Sequence, residues 1–468
     1  MHSPLGLIVL AAWPVVAGIL FSRLDVTRAA IWTILGGYLL LPPIVAIDLP
    51  VVPSLDKDSI AALSAAAGVA TQAGWAPPGP KLGGWVIALI ALALVSPFLT
   101  VAANPEPLIE GITYRPGLTA YDGLSIAVKT AIGLIAFLIG YRYLSSPEGV
   151  RLWLRALVVA GLAYSLPMLL EVRLSPQINV WIYGFFAHDF SQMIRYGGFR
   201  PMVFLSHGLW VALFAASAVL AAGVLLRADP GHRARGIAVL VYLLVVLLLC
   251  KSAAALLYAV MLVPVILVMS PRWQLRLAAA LTLAVLVYPL FRWVDLPSAD
   301  MVDAWLGGVD EERAGSLSFR LRNEVELLQR TTQKLWTGWG GWDRNQIMDP
   351  VSGRAQSVTD GMWIVQMTAY GLGGYIWMFG LLCGSTLHLA FGRARRQIDP
   401  AAAGLALILA ANLVDLIPNG TLTPLTWLSA GALAGLAARG EIAVRSGSPE
   451  PAPRREPMRV LIGAARRG

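Results

Sequence analysis

Apolar residues fill the chain in runs of about 17 to 25, parted by short polar turns. The runs fall at 5–22, 29–47, 83–103, 124–144, 152–170, 201–226, 236–250, 253–270, 277–291, 360–388, 401–418 and 422–438. A run of about 20 apolar residues, coiled as a helix, crosses the hydrocarbon layer of a bilayer. The stretch 236–269 is too long for one helix, and Lys251-Ser252 lies at its middle, so it divides into two helices joined by a tight turn. The pattern predicts an all-α integral membrane protein of about twelve transmembrane helices, over 1–438, followed by a disordered basic tail, 439–468. Three polar breaks are long: 53–82, 171–200, and 292–359 between the ninth and tenth helices.

Composition sharpens this picture. Of 468 residues, 57% are hydrophobic and 13% charged, with a mean hydropathy of +0.67. Soluble domains carry about 25% charged residues, so the core is built between helices in lipid. The net charge of +9 is spread over short turns and the tail and forms no long basic groove, which argues against a nucleic-acid partner. The first apolar run lacks a basic lead-in and a small-residue cleavage pattern, so it reads as a spanning helix. Cys250 and Cys383 sit inside apolar runs as small hydrophobes, with no metal-ligand spacing.

Lys and Arg concentrate in cytoplasmic turns of membrane proteins. The basic turns 227–236, 271–276 and 392–397 therefore face the cytoplasm, and 171–200, Lys251 and 292–359 converge on the opposite face. The same count puts Arg23 and Arg28 outside, against the rule, and the 53–82 segment with "LDKDS" inside. Trp153, Trp273 and Trp293 stand near helix ends as interfacial anchors, and Pro14, Pro42, Pro43 and Pro264 fall within apolar runs.

The outer face gathers the candidate chemistry. "RYGGFRP" sets Arg195 and Arg200 about two glycines, with His207 following, an arrangement suited to an oxyanion such as phosphate. The competing reading has these arginines meet lipid headgroups or pair with Glu171 and Asp189. Lys251 is a costly residue between apolar helices unless it serves a ligand or snorkels. "SLSFRLRNEVELLQRTTQKL" places Leu317, Leu321, Val325 and Leu328 on one face of an amphipathic helix, capped by Ser316 or Ser318, with Arg320 and Arg322 in its first turns. "TGWGGWDRN" offers Trp339, Trp342 and Arg344 to a sugar. Asp360, in "SVTDGMW", is either the cap of the next helix or a general base.

In their order, "RYGGFRP", a basic residue at a helix–helix turn, "SFR…NE…LL" in a large outer loop, "GWGGWDRN", and a polar triplet before "YGLGGY" resemble the O-antigen ligase/polymerase superfamily over roughly 170–390, closest to its exopolysaccharide branch. The resemblance implies a bacterial inner-membrane glycosyltransferase with its site on the periplasmic face, so that 292–359 is one large periplasmic loop containing short amphipathic helices. It implies metal-independent transfer of glycan from an undecaprenyl-diphosphate carrier, with no cofactor, beside chain-length regulators or other polysaccharide-assembly proteins. Arg320 takes the place of the large-loop arginine. Lys251 stands near the family's arginine at the helix turn, and Asp360 stands where ligases have histidine, which favours polymerase over ligase. On that assignment Arg320, Asp360 and Lys251 are catalytic, and Arg195, Arg200, His207, Arg322, Trp339, Trp342 and Arg344 bind substrate. Two other classes compete. A flippase or transporter would carry charges at mid-membrane in pseudo-symmetric halves. A transferase using a polyprenyl-monophosphate sugar would use Asp56 and Asp58, if that segment lies outside.

Overall fold

The computed structural model describes residues 3–49, 52–73, 79–306, 311–392 and 398–446. Helix α1 is Pro4–Arg23 and α2 Val26–Leu40; a hairpin of β1 (Ile47–Leu49) and β2 (Val52–Leu55) leads to α3, Lys57–Ala73. Helix α4 is Gly84–Ala102, and a second hairpin, β3 (Leu108–Glu110) with β4 (Thr113–Arg115), precedes α5 (Ala120–Tyr143) and α6 (Pro147–Leu174). Next come short α7 (Ile178–Tyr183), the hairpin β5 (Ile194–Arg195) and β6 (Gly198–Phe199), α8 (Gly208–Ala228), α9 (Arg233–Leu249), α10 (Ala253–Val268) and α11 (Pro271–Trp293). The large loop holds α12 (Ala299–Leu306) and α13 (Glu311–Thr332), and α14 (Met362–Phe391), α15 (Pro400–Asp415) and α16 (Pro424–Ser446) complete the chain.

The protein is helical, and among the described residues seven helices are long and apolar enough to cross a membrane: α1, α4, α5, α6, α8, α11 and α14. Shorter apolar helices are α2, α10 and α15. Helix starts follow local chemistry. Ser3, Asp25, Ser146 and Asp399 each accept a backbone N–H at a helix N-terminus, and proline leads α1, α6 and α15, where its missing N–H costs nothing. Helices α8 and α15 are buried over nearly their whole length, so the core runs through them.

Hydrogen bonds sort the helix ends into two faces. At one end, the Ser3 hydroxyl donates to Tyr183 O, the Tyr183 hydroxyl to Leu40 O, and Lys57 Nζ to Phe204 O at 2.9 Å. At the other, Gln72 reaches Phe21 O and Leu24 O, Arg151 pairs with Asp399, and Arg227 reaches the carbonyl of Met269. This second end carries Arg23, Arg28, Arg142, Arg151, Arg227 and Arg439; the first carries the hairpin, the large loop and the Lys251 turn.

Several expectations are corrected here. The segment 53–82, read as one loop, contains the helix α3, packed against α1, α2 and α5. Its Ala-rich composition, interrupted by serine, threonine and glutamine, hid it. With α3 returning the chain, Arg23 and Arg28 join the basic end, and Asp56, Lys57 and Asp58 move to the hairpin end. Trp153 is wholly buried, its indole N–H donating to Ser429 Oγ at 3.0 Å, whereas Trp273 and Trp293 are exposed as anchors should be. Helix α2 ends before Pro42 and Pro43, and α8 begins only at Gly208. Helix α13 starts at Glu311, so Ser316 and Ser318 lie within it; Ser318 donates to Asp303 of α12. Helix α16 continues to Ser446, into the expected tail; the rest of that tail and 393–397 lie outside the described residues. The division of 236–269 at Lys251-Ser252 is as expected.

Candidate functional site

The β5–β6 hairpin reverses through Tyr196 and Gly197, both at positive φ. Gly197 takes such a backbone without strain. Gly198 leaves room for Lys251, whose Nζ would lie 2.3 Å from any Cβ there and instead donates to Arg195 O (3.1 Å) and Tyr196 O (3.3 Å). The ammonium therefore holds the hairpin turn. Two carbonyl acceptors leave the ammonium its charge and a third N–H.

Arg200 follows β6 and is 4% exposed, yet its guanidinium has no acceptor among the described residues, and its Nε is fully enclosed. Burial and the neighbouring Arg195 charge pull its pKa down. The carboxylates that could have neutralised it are occupied. Glu171 accepts from Ile178, Met202 and Val203 N–H at 2.7–2.9 Å, and Asp189 from Ser191 N–H. The alternative pairing with Glu171 or Asp189 is thus absent. A buried cation normally finds a partner or costs several kcal/mol, and the arrangement is one that an anion would satisfy.

His207 is the N-cap of α8, one residue before the helix and not two turns into it. Its Nδ1 accepts from Leu209 N–H at 3.0 Å, so Nε2 carries the proton and donates to Gln192 Oε1 at 3.2 Å. Both nitrogens serve the fold, which corrects the ligand role. Desolvation, then His188, Arg200 and Arg195, push its pKa down to about 4. The unfolded chain takes a proton near the ordinary 6.5 and the folded chain does not, so stability should fall as pH drops from 6.5 towards about 4. His207→Asn keeps a cap without a titrating group. Melting temperatures of both proteins at neutral pH and about pH 5 should show a shallower fall for the variant; equal slopes would refute this.

A second group forms on the large loop. Arg320 Nε lies 3.3 Å from Asp360 Oδ2, and both side chains are about 40% exposed. They line a small cleft with Phe319, Asn323, Glu324 and Pro418. Gly361 is the N-cap of α14 and no side chain caps it, so Asp360 is not the cap. The terminal nitrogens of Arg320 have no acceptor among the described residues. Behind the cleft, Arg292 is fully buried and donates from Nε to Glu324 Oε2 at 2.9 Å, which also accepts from the Tyr288 hydroxyl at 3.0 Å.

The other loop residues turn inward or elsewhere. Arg322 pairs with Asp303 at 3.2 Å, fastening α12 to α13. Arg344 is 3% exposed and donates to the carbonyls of Trp339, Pro116 and Glu106. The Trp339 ring lies under Arg330 (4.5 Å) and Lys334 (4.8 Å), and its N–H donates to Arg330 O. Arg344 and Trp339 are therefore corrected from sugar contacts to struts. "GWGG" is a strap, not a lid: Trp339 N–H and Gly340 N–H donate to Thr368 O and Ala369 O beside the break in α14 at Gly371, and a Cβ on Gly338 would meet Ala369 at 2.4 Å. Trp342 remains exposed.

Arg195, Arg200, His207 and Lys251 are thus one group, and Arg320 and Asp360 another, on one end of the bundle. Helix α10, which follows Lys251, packs against α15, and these two helices form a seam at that end. Tyr258 of α10 donates to Asp415, which also accepts from Asn419 and Thr421, and this turn presents Pro418 to the cleft. Asp56, at the same end, caps Ser59 and pairs with Lys129 at 3.4 Å. Glu324, Arg292, Arg330 and Asp415 had no role assigned from sequence; their charges within or beside apolar helices are the signal that was there. No known protein family matches the chain, and no curated protein does.

Proposed function

We propose that this chain is a bacterial inner-membrane glycosyltransferase that polymerises or transfers glycan repeat units from an undecaprenyl-diphosphate carrier, as a polymerase in preference to a ligase. The observation that carries the reading is Arg200, a buried residue whose guanidinium has no acceptor among the described residues, beside Arg195 and close to a turn fastened by Lys251. A diphosphate is the kind of ligand that two guanidinium groups on one turn recognise.

In this reading α1–α6, α8–α11 and α14–α16 cross the membrane, thirteen in place of the twelve expected, because α3 is added. The arginine-rich end is then cytoplasmic and the site end periplasmic, and Arg23 and Arg28 obey the positive-inside rule. The lipid chain reaches the site between helices, and an extended headgroup with its sugars touches both sides of the α10–α15 seam. The acceptor hydroxyl attacks the anomeric carbon, the bond to the diphosphate breaks, and the arginines take up the charge of the leaving group. A carboxylate in the cleft takes the proton. The order of motifs along 170–390 supports this chemistry, and Asp360 in the ligases' histidine position supports polymerisation.

Arg320→Ala tests it. In cells whose surface polysaccharide depends on this chain, polymer should fall by about 100-fold or more, the effect of losing a charge-stabilising group. Arg320→Lys should also impair it, since an ammonium cannot bind in bidentate fashion. Unchanged polymer amount and length at normal protein levels would overturn the reading.

A further inference from the structure

The cleft holds a carboxylate besides Asp360, and the two differ in their surroundings. Asp360 is about 40% exposed and its charge is matched by Arg320. Glu324 is 9% exposed and lines the same cleft from the next turn of α13. Both of its strong donors, Tyr288 and Arg292, go to Oε2, which leaves Oε1 for another hydrogen. The Trp363 indole, whose N–H meets no acceptor in hydrogen-bond range, lies next to it. The Arg292 guanidinium is fixed in turn by the carbonyls of Leu321 and Pro297. A carboxylate so gripped on one oxygen is aimed, not merely buried.

Resting on the transferase reading above, we propose that Glu324 is the general base of the reaction. The acceptor hydroxyl gives its proton to Glu324 Oε1 while its oxygen forms the new bond to the anomeric carbon. The old bond from that carbon to the diphosphate breaks, and its electron pair leaves with the diphosphate; Arg320, in the same cleft, meets the charge of the phosphate next to the sugar, and Arg200 and Arg195 hold the far phosphate. Asp360 is then a positioning residue that orients Arg320.

Other charged groups bear on this assignment. From α11, Tyr288 and Arg292 face Glu324; from the turn after it, Asp295 pairs with Arg292 at 3.2 Å. From α13 and the start of α14 come Arg320 and Asp360; on α12, Asp300 and Asp303 are turned to Arg322. Burial raises the Glu324 pKa, and the Tyr288 hydrogen bond, the Arg292 charge and hydrogen bond, and the Trp363 N–H beside it lower it in part. A base is most effective when its pKa lies near the working pH.

The experiment uses the full-length chain in lipid nanodiscs, with lipid-linked oligosaccharide extracted from host cells that lack it. Wild-type kcat should show an acidic limb above the ordinary carboxylate range. Glu324→Gln should lower kcat by about 100-fold or more with little change in KM, and its residual rate should lose the limb. Glu324→Asp should restore part of the rate. Asp360→Asn should keep the limb. Tyr288→Phe, which removes a donor to the charged form, should move the limb to higher pH. Should Glu324→Gln fail to fold, an unmoved limb in Tyr288→Phe overturns the proposal. A folded Glu324→Gln with wild-type kcat, or a limb lost in Asp360→Asn, overturns it while the transferase reading stands. An inactive wild-type chain removes both.

Discussion

Arg200→Met should make the ligand-free protein more stable and leave it unable to act. The two effects share one cause. In the folded chain Arg200 is buried with its Nε enclosed and its guanidinium without an acceptor among the described residues, and Glu171, a carboxylate that burial would otherwise have offered, is saturated by three backbone N–H groups. Desolvating a charge without pairing it opposes folding, and an apolar side chain of similar length removes that opposition. A gain of about 1–3 kcal/mol is expected, the scale on which such replacements act. The same residue is the strongest candidate for gripping a diphosphate, so the variant should lose that grip. Inorganic pyrophosphate is the direct probe. A ligand that binds only the folded state raises the melting temperature as its concentration passes Kd. Wild type should show that rise, Arg200→Met should not, and its polymer synthesis should fall by about 100-fold or more. If the variant is less stable than wild type and pyrophosphate raises both melting temperatures alike, the site is structural.

How much of this was readable beforehand depends on how far each residue's partner lies along the chain. Helix positions came through where apolar runs are long, as in α4, α8 and α14, because burial in lipid needs only local composition. Helix α3 did not, since alanine and serine make a helix without making a strongly apolar one. The convergence of Arg195, Arg200 and Lys251 followed from topology alone. The roles of Trp339 and Arg344 could not follow from it. Their partners, the carbonyls at Glu106 and Pro116 and the cations Arg330 and Lys334, are supplied by a hairpin more than 200 residues away and by the preceding helix. An aromatic, glycine-rich loop and an aromatic, glycine-rich strap have the same sequence signature. What separates them is the break at Gly371, where α14 exposes backbone carbonyls for the strap to meet.

Arg292→Met should have the opposite sign to Arg200→Met. Both arginines are buried, but Arg292 is fully engaged, with Glu324 on Nε and the carbonyls of Leu321 and Pro297 on its terminal nitrogens. Removing it leaves a buried carboxylate without its cation and the Pro297 carbonyl without this donor, and breaking one side of such a pair costs about 3–5 kcal/mol. The damage should be local at first, because these bonds fasten α13 to α11. Hydrogen exchange over 311–332 should rise well before the membrane helices respond. Adding Glu324→Leu should recover part of the loss, since an apolar pair of similar volume does without the missing cation. Recovery should stay incomplete, because the Pro297 carbonyl still lacks its Arg292 donor. The double variant should then fold and yet be inactive, lacking the carboxylate in the cleft. If Arg292→Met leaves stability and exchange unchanged, the ion pair does not hold α13. If the double variant is as unstable as the single one, the stranded charge is not the cause of the loss. A double variant with wild-type activity would instead show that the cleft works without Glu324.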